Sequence, residues 1–210
     1  MKLAFVSDTH NYHNQITLEP SDILFHCGDM TPRGSIKDIE AFCDWFVKQP
    51  ATEKVVIAGN HDFSLESTST KQEAEKLFKD RGIHYLNNTS ITLMELKIFG
   101  SPHTPYFGGW AFNNTGSEIT KHWDLIPDNT NILLTHGPPR DILDWTLHGD
   151  RAGCPYLRDK IKELKQLKIH AFGHIHEAEG VEIVDGVIFI NASICGIPYS
   201  NLNEPKYLNI

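Results

Sequence analysis

Metal-type ligands fall at five places along the chain, in the order Asp8-Thr9-His10, Gly28-Asp29, Gly59-Asn60-His61-Asp62, His136-Gly137 and Gly173-His174-Ile175-His176. Carboxylate oxygen, amide oxygen and imidazole nitrogen together suit divalent ions of intermediate hardness, such as manganese, iron or zinc. No motif contains a cysteine, so a closed thiolate zinc site is not indicated. Asp8 and His10 stand two residues apart, as do His174 and His176, so each pair can point to one side of an extended segment. Gly28 allows a tight turn before Asp29, although Gly-Asp alone is also an ordinary turn. The consecutive amide, imidazole and carboxylate of residues 60–62 are more than a turn requires. Taken together, the set reads as a catalytic metal centre assembled from both ends of the chain.

The elements that must position these residues are legible around them. Residues 2–7, 22–27 and 54–58 are short apolar runs bounded by Asp, Gly or Pro, as buried strands are, and each runs straight into a motif. Between the second and third, Ser35 to Val47 places Ile36, Ile39, Phe42, Cys43, Phe46 and Val47 at helical spacing behind a Ser cap, which predicts a β-α-β unit. Further helices are predicted over 71–81 and 156–167. Strands are predicted over 91–99, 132–135 and 169–172, with a hairpin of 181–184 and 187–190 around Asp185-Gly186. Ligands in α/β sheets gather outside the carboxyl ends of strands, so five motifs at five strand ends describe one mouth. A single domain over residues 1–210 is expected. Residues 113–117 read as a loop, and residues 198–210 fit equally an edge strand, an oligomer contact or a loose tail.

Composition narrows the function. The formal charge of −8 repels a polyphosphate backbone, and no basic cluster offsets it, which argues against long DNA or RNA. Two divalent ions would supply local positive charge for a small phosphate compound. Residues 1–7 are too short an apolar run for a signal peptide, and no run approaches the length of a membrane span, so a soluble, cytoplasmic protein without membrane partners is expected. Cys27, Cys43, Cys154 and Cys195 have no CxxC spacing and read as free thiols of a reducing compartment.

The segment from Ser101 to Phe112 holds His103, Tyr106, Phe107, Trp110 and Phe112 among prolines and glycines, without helix or strand periodicity. It fits a packing loop or a wall that stacks a nucleobase, with His103, Phe107 and Trp110 as the candidate contacts. Arg33 and Arg140 follow Asp29 and His136 by four residues and are candidate phosphate contacts. His26 and His170 sit within strands, where hydrogen bonding to the backbone is sufficient reason for them.

The ordered pattern D-x-H, G-D, G-N-H-D, H and G-H-x-H resembles the calcineurin-like metallophosphoesterase superfamily. Ser101-Pro102-x-Thr104-Pro105, Thr135-His136-Gly137-Pro138-Pro139, Gly153-Cys154, Phe172 to Glu177 and Ile190-Asn191-Ala192-Ser193 are similar to its metallophosphoesterase-domain-containing (MPPED) branch. That resemblance implies an α/β four-layer sandwich, two mixed β-sheets flanked by helices. It implies that Asp8, His10, Asp29 and His176 hold one metal and Asp29, Asn60, His136 and His174 a second, bridged by Asp29. His61 would be the non-ligand histidine near the leaving group, oriented by Asp62. Two metals about 3.5 to 4 Å apart activate a bridging water and clamp an in-line displacement at phosphorus. The implied activity is a phosphodiesterase for small phosphoesters, with cyclic nucleotides as the expected substrates; a phosphomonoesterase would use the same centre. Scaffold relatives of this fold carry a degraded metal centre, whereas no ligand is missing here. His103 departs from the branch, where Trp is usual.

Overall fold

Continuous apolar runs give the central strands of this protein two buried faces, and that requirement fixes its layers. The computed structural model describes residues 1–210. Its first half contains β1 (Lys2–Val6), β2 (Ser21–Cys27), α1 (Ile36–Phe46), β3 (Ala51–Ile57), α2 (Lys71–Asp80), β4 (His84–Tyr85), β5 (Thr89–Leu93) and β6 (Leu96–Ser101). There follow β7 (Thr104–Pro105), β8 (Asn113–Asn114), α3 (Thr120–Trp123), β9 (Ile132–Thr135), α4 (Pro155–Glu163), β10 (Ile169–Phe172), β11 (Gly180–Val184), β12 (Val187–Asn191) and β13 (Lys206–Asn209).

One sheet has the order β13-β1-β2-β3-β4 and the other β11-β12-β10-β9-β6-β5. Within the first, β1 to β4 are parallel; within the second, β6, β9, β10 and β12 are parallel. Antiparallel strands lie at the margins: β13 on β1, β11 on β12 and β5 on β6. Leu3, Phe5, Ile23, Phe25, Val55 and Ile57 of the first sheet share one core with Ile98, Ile132, Leu134, Ile169 and Ile190 of the second. The alternate residues Ala4, Val6, Leu24 and Val56 face Ile39, Phe42 and Phe46 of α1 and Phe78 of α2. Phe99, Leu133, Phe172 and Phe189 face Trp123 of α3 and Leu157 and Ile161 of α4. The result is the four-layer sandwich of two mixed sheets flanked by helices. No helix is long and apolar enough to cross a membrane.

Local chemistry agrees with most of the expected elements. Ser35 caps α1 by accepting the Asp38 N–H at 3.1 Å, and its hydroxyl donates to the Asp38 carboxylate at 2.6 Å. Asp185 and Gly186 take φ of 52° and 80°, as a two-residue hairpin turn demands. The four cysteines are free and buried.

Some expectations need correction. The run 91–99 is not one strand: the chain reverses at Met94 and Glu95, with φ of 48° and 67°, and Leu93 pairs with Leu96. The helix expected over 156–167 ends at Glu163, because Leu164 leaves helical geometry with ψ of 85°. Asn113 and Asn114 form a short strand parallel to Thr104 and Pro105 rather than a free loop. The tail needs no correction: of the three forms open to it, it takes the edge strand, β13 on β1.

Phe5 and Phe25 stack at 5.0 Å across β1 and β2, on the face that meets the second sheet. Phe25→Ala should lower unfolding free energy by about 3 to 5 kcal/mol in urea titrations of metal-free protein. A loss below about 1 kcal/mol would show that this inter-sheet core is not tightly packed.

Candidate metal centre

Parallel strands deliver their carboxyl ends to one edge, and both sheets do so at the same place. Ser7, just past β1, bridges in parallel to Ser193, just past β12. The Ile194 N–H donates to the Ser7 carbonyl at 2.9 Å and the Cys195 N–H to the Asp8 carbonyl at 3.2 Å. At this seam Asp8, His10, Asp29 and His174 take left-handed φ of 50°, 40°, 53° and 71°. For residues with a Cβ this costs on the order of 1 to 2 kcal/mol each, and the cost persists only where surrounding bonds over-determine the conformation. Those bonds are present: Asp8 N–H to Gly28 carbonyl at 2.9 Å, His10 N–H to Asp29 carbonyl at 3.1 Å, and His174 N–H to the Asp8 carboxylate at 3.0 Å. Glycine is required at two contacts. A Cβ on Gly173 would lie 1.9 Å from Asp8 Oδ2, and one on Gly59 would lie 2.4 Å from Asp29 N.

The expected metal ligands converge. Asp8, His10 and His176 form one cluster and Asp29, His136 and His174 a second, each with its ligand atoms within 4.8 Å of one another. Asp29 stands between them, its Oδ2 3.8 Å from His10 Nε2 and 3.3 Å from His136 Nε2. Asn60 Oδ1 lies 2.9 Å from His136 Nε2, and His176 Nε2 lies 3.3 Å from Asp8 Oδ1. His136 Nδ1–H donates to the Cys27 carbonyl at 2.9 Å, which turns Nε2 toward the centre. His10 Nε2 and His176 Nε2 face each other at 3.4 Å.

This donor set fits divalent ions. Asp8 and Asp29 are buried, and their ion-pair contacts are all with histidines rather than with Lys or Arg. An ionised carboxylate is costly to bury unless a cation or hydrogen-bond donors lie close by. In the metal-free centre that role falls to protonated imidazole. Burial opposes charge on His136, but neighbouring Asp29 and its hydrogen bond overcome this and raise its pKa to about 9. Burial lowers His10 to about 4 and, with His136 nearby, His174 to about 3. Burial works against ionised Asp29 too, yet His136 and His10 hold its carboxyl below the usual range.

His61 reaches the same space, with Nε2 3.8 Å from Asp29 Oδ2 and its N–H bonded to Asp29 Oδ1 at 2.8 Å. Asp62 does not orient it as expected. His61 Nδ1–H donates instead to the Pro32 carbonyl at 2.8 Å. The Asp62 carboxylate turns the other way and accepts from Gly59 N–H at 2.9 Å, Thr31 Oγ1–H at 3.1 Å and Thr31 N–H at 3.3 Å. It thus fastens the Gly59 turn to the segment after Asp29. Burial, reinforced by the charge of Asp29, raises the Asp62 pKa to about 7.

The aromatic segment reaches the centre only in part. Trp110 stacks on His61 at 4.2 Å, Arg33 lies over Trp110 at 5.2 Å, and Phe107 meets His174 edge-on at 5.1 Å. The Ala111 N–H anchors the segment to the Asn60 carbonyl at 3.2 Å. His103 is otherwise engaged: it accepts from Asn114 Nδ2 at 2.8 Å and stacks on His122 at 3.3 Å, within the packing of the loop itself. Arg140 is likewise diverted, donating to the Arg151 carbonyl at 3.1 Å and lying beside Asp141.

Three residues at the centre had no assigned role. Ser193 Oγ lies 2.9 Å from Asp8 Oδ2, and the Asn191 amide holds the Ile175 carbonyl at 2.8 Å between the two histidines of the last motif. Their Asn-Ala-Ser sequence was the only signal. Tyr199 covers His10 and His176 and carried none. His26 and His170 bond threonine hydroxyls, Thr9 at 3.0 Å and Thr135 at 2.8 Å.

Two sheets packed face to face between helices, with buried Asp, Asn and His residues at their joined strand ends, define a metallophosphoesterase. Residues 1–178 match the calcineurin-like phosphoesterase family, and the chain belongs to it. It is 33% identical over 230 residues to metallophosphoesterase domain-containing protein 1 of Homo sapiens, covering 100% of this chain and 71% of that one. Among solved structures it is similar in fold to the phosphopantetheinyl hydrolase of Mycobacterium tuberculosis, with a TM-score of 0.66 at 14% identity over 92% of this chain and 89% of that one. An archaeal phosphodiesterase is similar with a TM-score of 0.51 at 19% identity, covering 100% and 93% of the two chains.

A proton on His136 competes with a metal for Nε2, so binding should release protons near neutral pH. Manganese affinity should rise between about pH 6 and about pH 9, with proton release measured by calorimetry in buffers of different ionisation enthalpy. A flat affinity across that range would argue against His136 as a ligand.

Proposed function

We propose that this protein is a two-metal phosphodiesterase acting on small, nucleotide-like phosphoesters, cyclic nucleotides among them. The arrangement around Asp29 carries the reading: its buried carboxylate belongs to one ligand cluster with His136 and His174 and lies 3.8 Å from His10 of the other, with His61 Nε2 facing the same oxygen. Asp8, His10, Asp29 and His176 would hold one ion, and Asp29, Asn60, His136 and His174 the other. Manganese, iron and zinc all suit these donors. Bound ions supply Lewis acidity toward the phosphoryl oxygens and an activated water for in-line attack.

The chain's own residues supply the rest. With Nδ1 committed to the Pro32 carbonyl, His61 turns Nε2 toward the centre, where it would serve the departing oxygen as proton donor. Asp62 acts through the backbone by fixing Gly59 against Thr31. Trp110 shields one face of His61 and carries Arg33 beside it, which adds positive charge at the mouth. Phe107 remains 41% exposed above His174 and is the better-placed ring for a base to stack on. Two proteins of similar fold, a phosphopantetheinyl hydrolase and an archaeal phosphodiesterase, accord with a phosphoester as substrate.

Manganese-loaded protein should cleave bis(p-nitrophenyl) phosphate in preference to p-nitrophenyl phosphate. His61→Ala should retain both metals and lose about 100- to 10,000-fold in turnover, whereas Asp29→Asn should bind metal poorly. Preference for the monoester would favour a phosphomonoesterase. Two bound ions without turnover of either ester would sink the catalytic reading. Phe107→Ala should weaken binding of an active nucleotide by about 1 to 3 kcal/mol in KM, with little change in kcat.

A further inference from the structure

Ligating histidines are usually held by a hydrogen bond from their second ring nitrogen. His136 has one, to the Cys27 carbonyl. His10 and His176 have none: the Nδ1 atoms of both are buried without a hydrogen-bond partner. A histidine ring without such a bond turns about a broad torsion and can present either nitrogen or a carbon to the metal. Something else must hold these two rings.

Tyr199 is in place to do so. Its ring lies 4.7 Å from that of His10 at an interplanar angle of 29°, and 4.8 Å from that of His176 at 40°. The segment carrying it is tied at its base. Cys195 bridges Leu202, the Gly196 N–H donates to the Asn201 carbonyl at 2.7 Å, and the Asn203 N–H donates to the Ile194 carbonyl at 2.7 Å. The same segment begins where Ile194 and Cys195 bond the backbone of Ser7 and Asp8, so the loop is fixed to the strand end that bears His10. Tyr199 lies beyond residue 178, where the family match ends.

We infer that Tyr199 is a positioning residue of the centre, whose ring face holds His10 and His176 in ligating orientation where a hydrogen bond is lacking. This rests on the two-metal reading. The stack, not the hydroxyl, performs the task, because the histidine contacts are made by the ring.

The test is metal titration of the metal-free protein with manganese, for wild type, Tyr199→Phe, Tyr199→Leu and Tyr199→Ala. Tyr199→Phe should match wild type. Tyr199→Leu and Tyr199→Ala should lose about 10- to 100-fold in affinity at one of two sites, and leave the Tm of the metal-free protein unchanged. In cobalt-loaded protein, the visible spectrum of Tyr199→Phe should overlay wild type while that of Tyr199→Ala differs. Affinities within about twofold of wild type in Tyr199→Ala, or equal loss at both sites with a lowered metal-free Tm, would overturn the inference. Fewer than two ions bound by wild type would overturn the two-metal reading instead, and selective loss in Tyr199→Ala of an ion that wild type does bind would still uphold the role of Tyr199.

Discussion

Two carboxylates, Asp8 and Asp29, are buried within one small space, with histidines as their only ion-pair partners. Burying like charges together is unfavourable unless a cation joins them, and much of the neighbouring structure serves to hold them there. The left-handed turns at Asp8 and Asp29 aim them, and Gly59 and Gly173 leave room for them. Backbone N–H groups of His61 and His174 donate to them. Such donors stabilise an ionised carboxylate without introducing a side chain that would fill the space an ion needs.

The same constraint explains why the two sheets meet where they do. A sandwich core alone would be satisfied by several relative placements of two apolar faces. The Ser7 to Ser193 bridge and the backbone bonds of Ile194 and Cys195 pin the exit of β1 to that of β12. That seam brings His174 and His176 of the second sheet onto Asp8 of the first, although His174 and Asp8 stand 166 positions apart in the chain. Core packing sets the distance between the sheets, and the seam sets their register at the mouth.

What was legible in the sequence was whatever the strand pattern and the ligand types carry together: the two-sheet core, the β-α-β unit and the convergence of seven donor residues. What was hidden depends on side-chain direction. Met94 and Glu95 reverse the chain without the Asn or Gly that usually marks such a turn. Asp62 follows His61 directly, yet in the turn after Asn60 consecutive side chains diverge, and its carboxylate meets the backbone of Gly59 and Thr31 rather than the imidazole. His103 and Arg140 sit near the motifs in sequence but are satisfied by Asn114 and His122, and by Arg151. Tyr199 had no motif to announce it, since it reaches His10 from 189 positions away through the bonds of Ile194 and Cys195 to Ser7 and Asp8, which seat its loop on the exit of β1.

The histidines of the centre are therefore supported in two different ways. His136 and His61 are fixed by carbonyl oxygens, those of Cys27 and Pro32. Aromatic rings cover the histidines toward the mouth: Trp110 on His61, Phe107 on His174, and Tyr199 on His10 and His176. A carboxylate or hydroxyl in those places could also orient a ring, but it could compete for an ion or for the phosphoryl group. An aromatic face offers no such competing donor. It also removes water, and in the drier site the same charges act on one another more strongly. In a chain whose formal charge is −8, bound ions would supply the positive potential that draws in a phosphoester, and a small, aromatic-walled mouth would limit its screening by solvent.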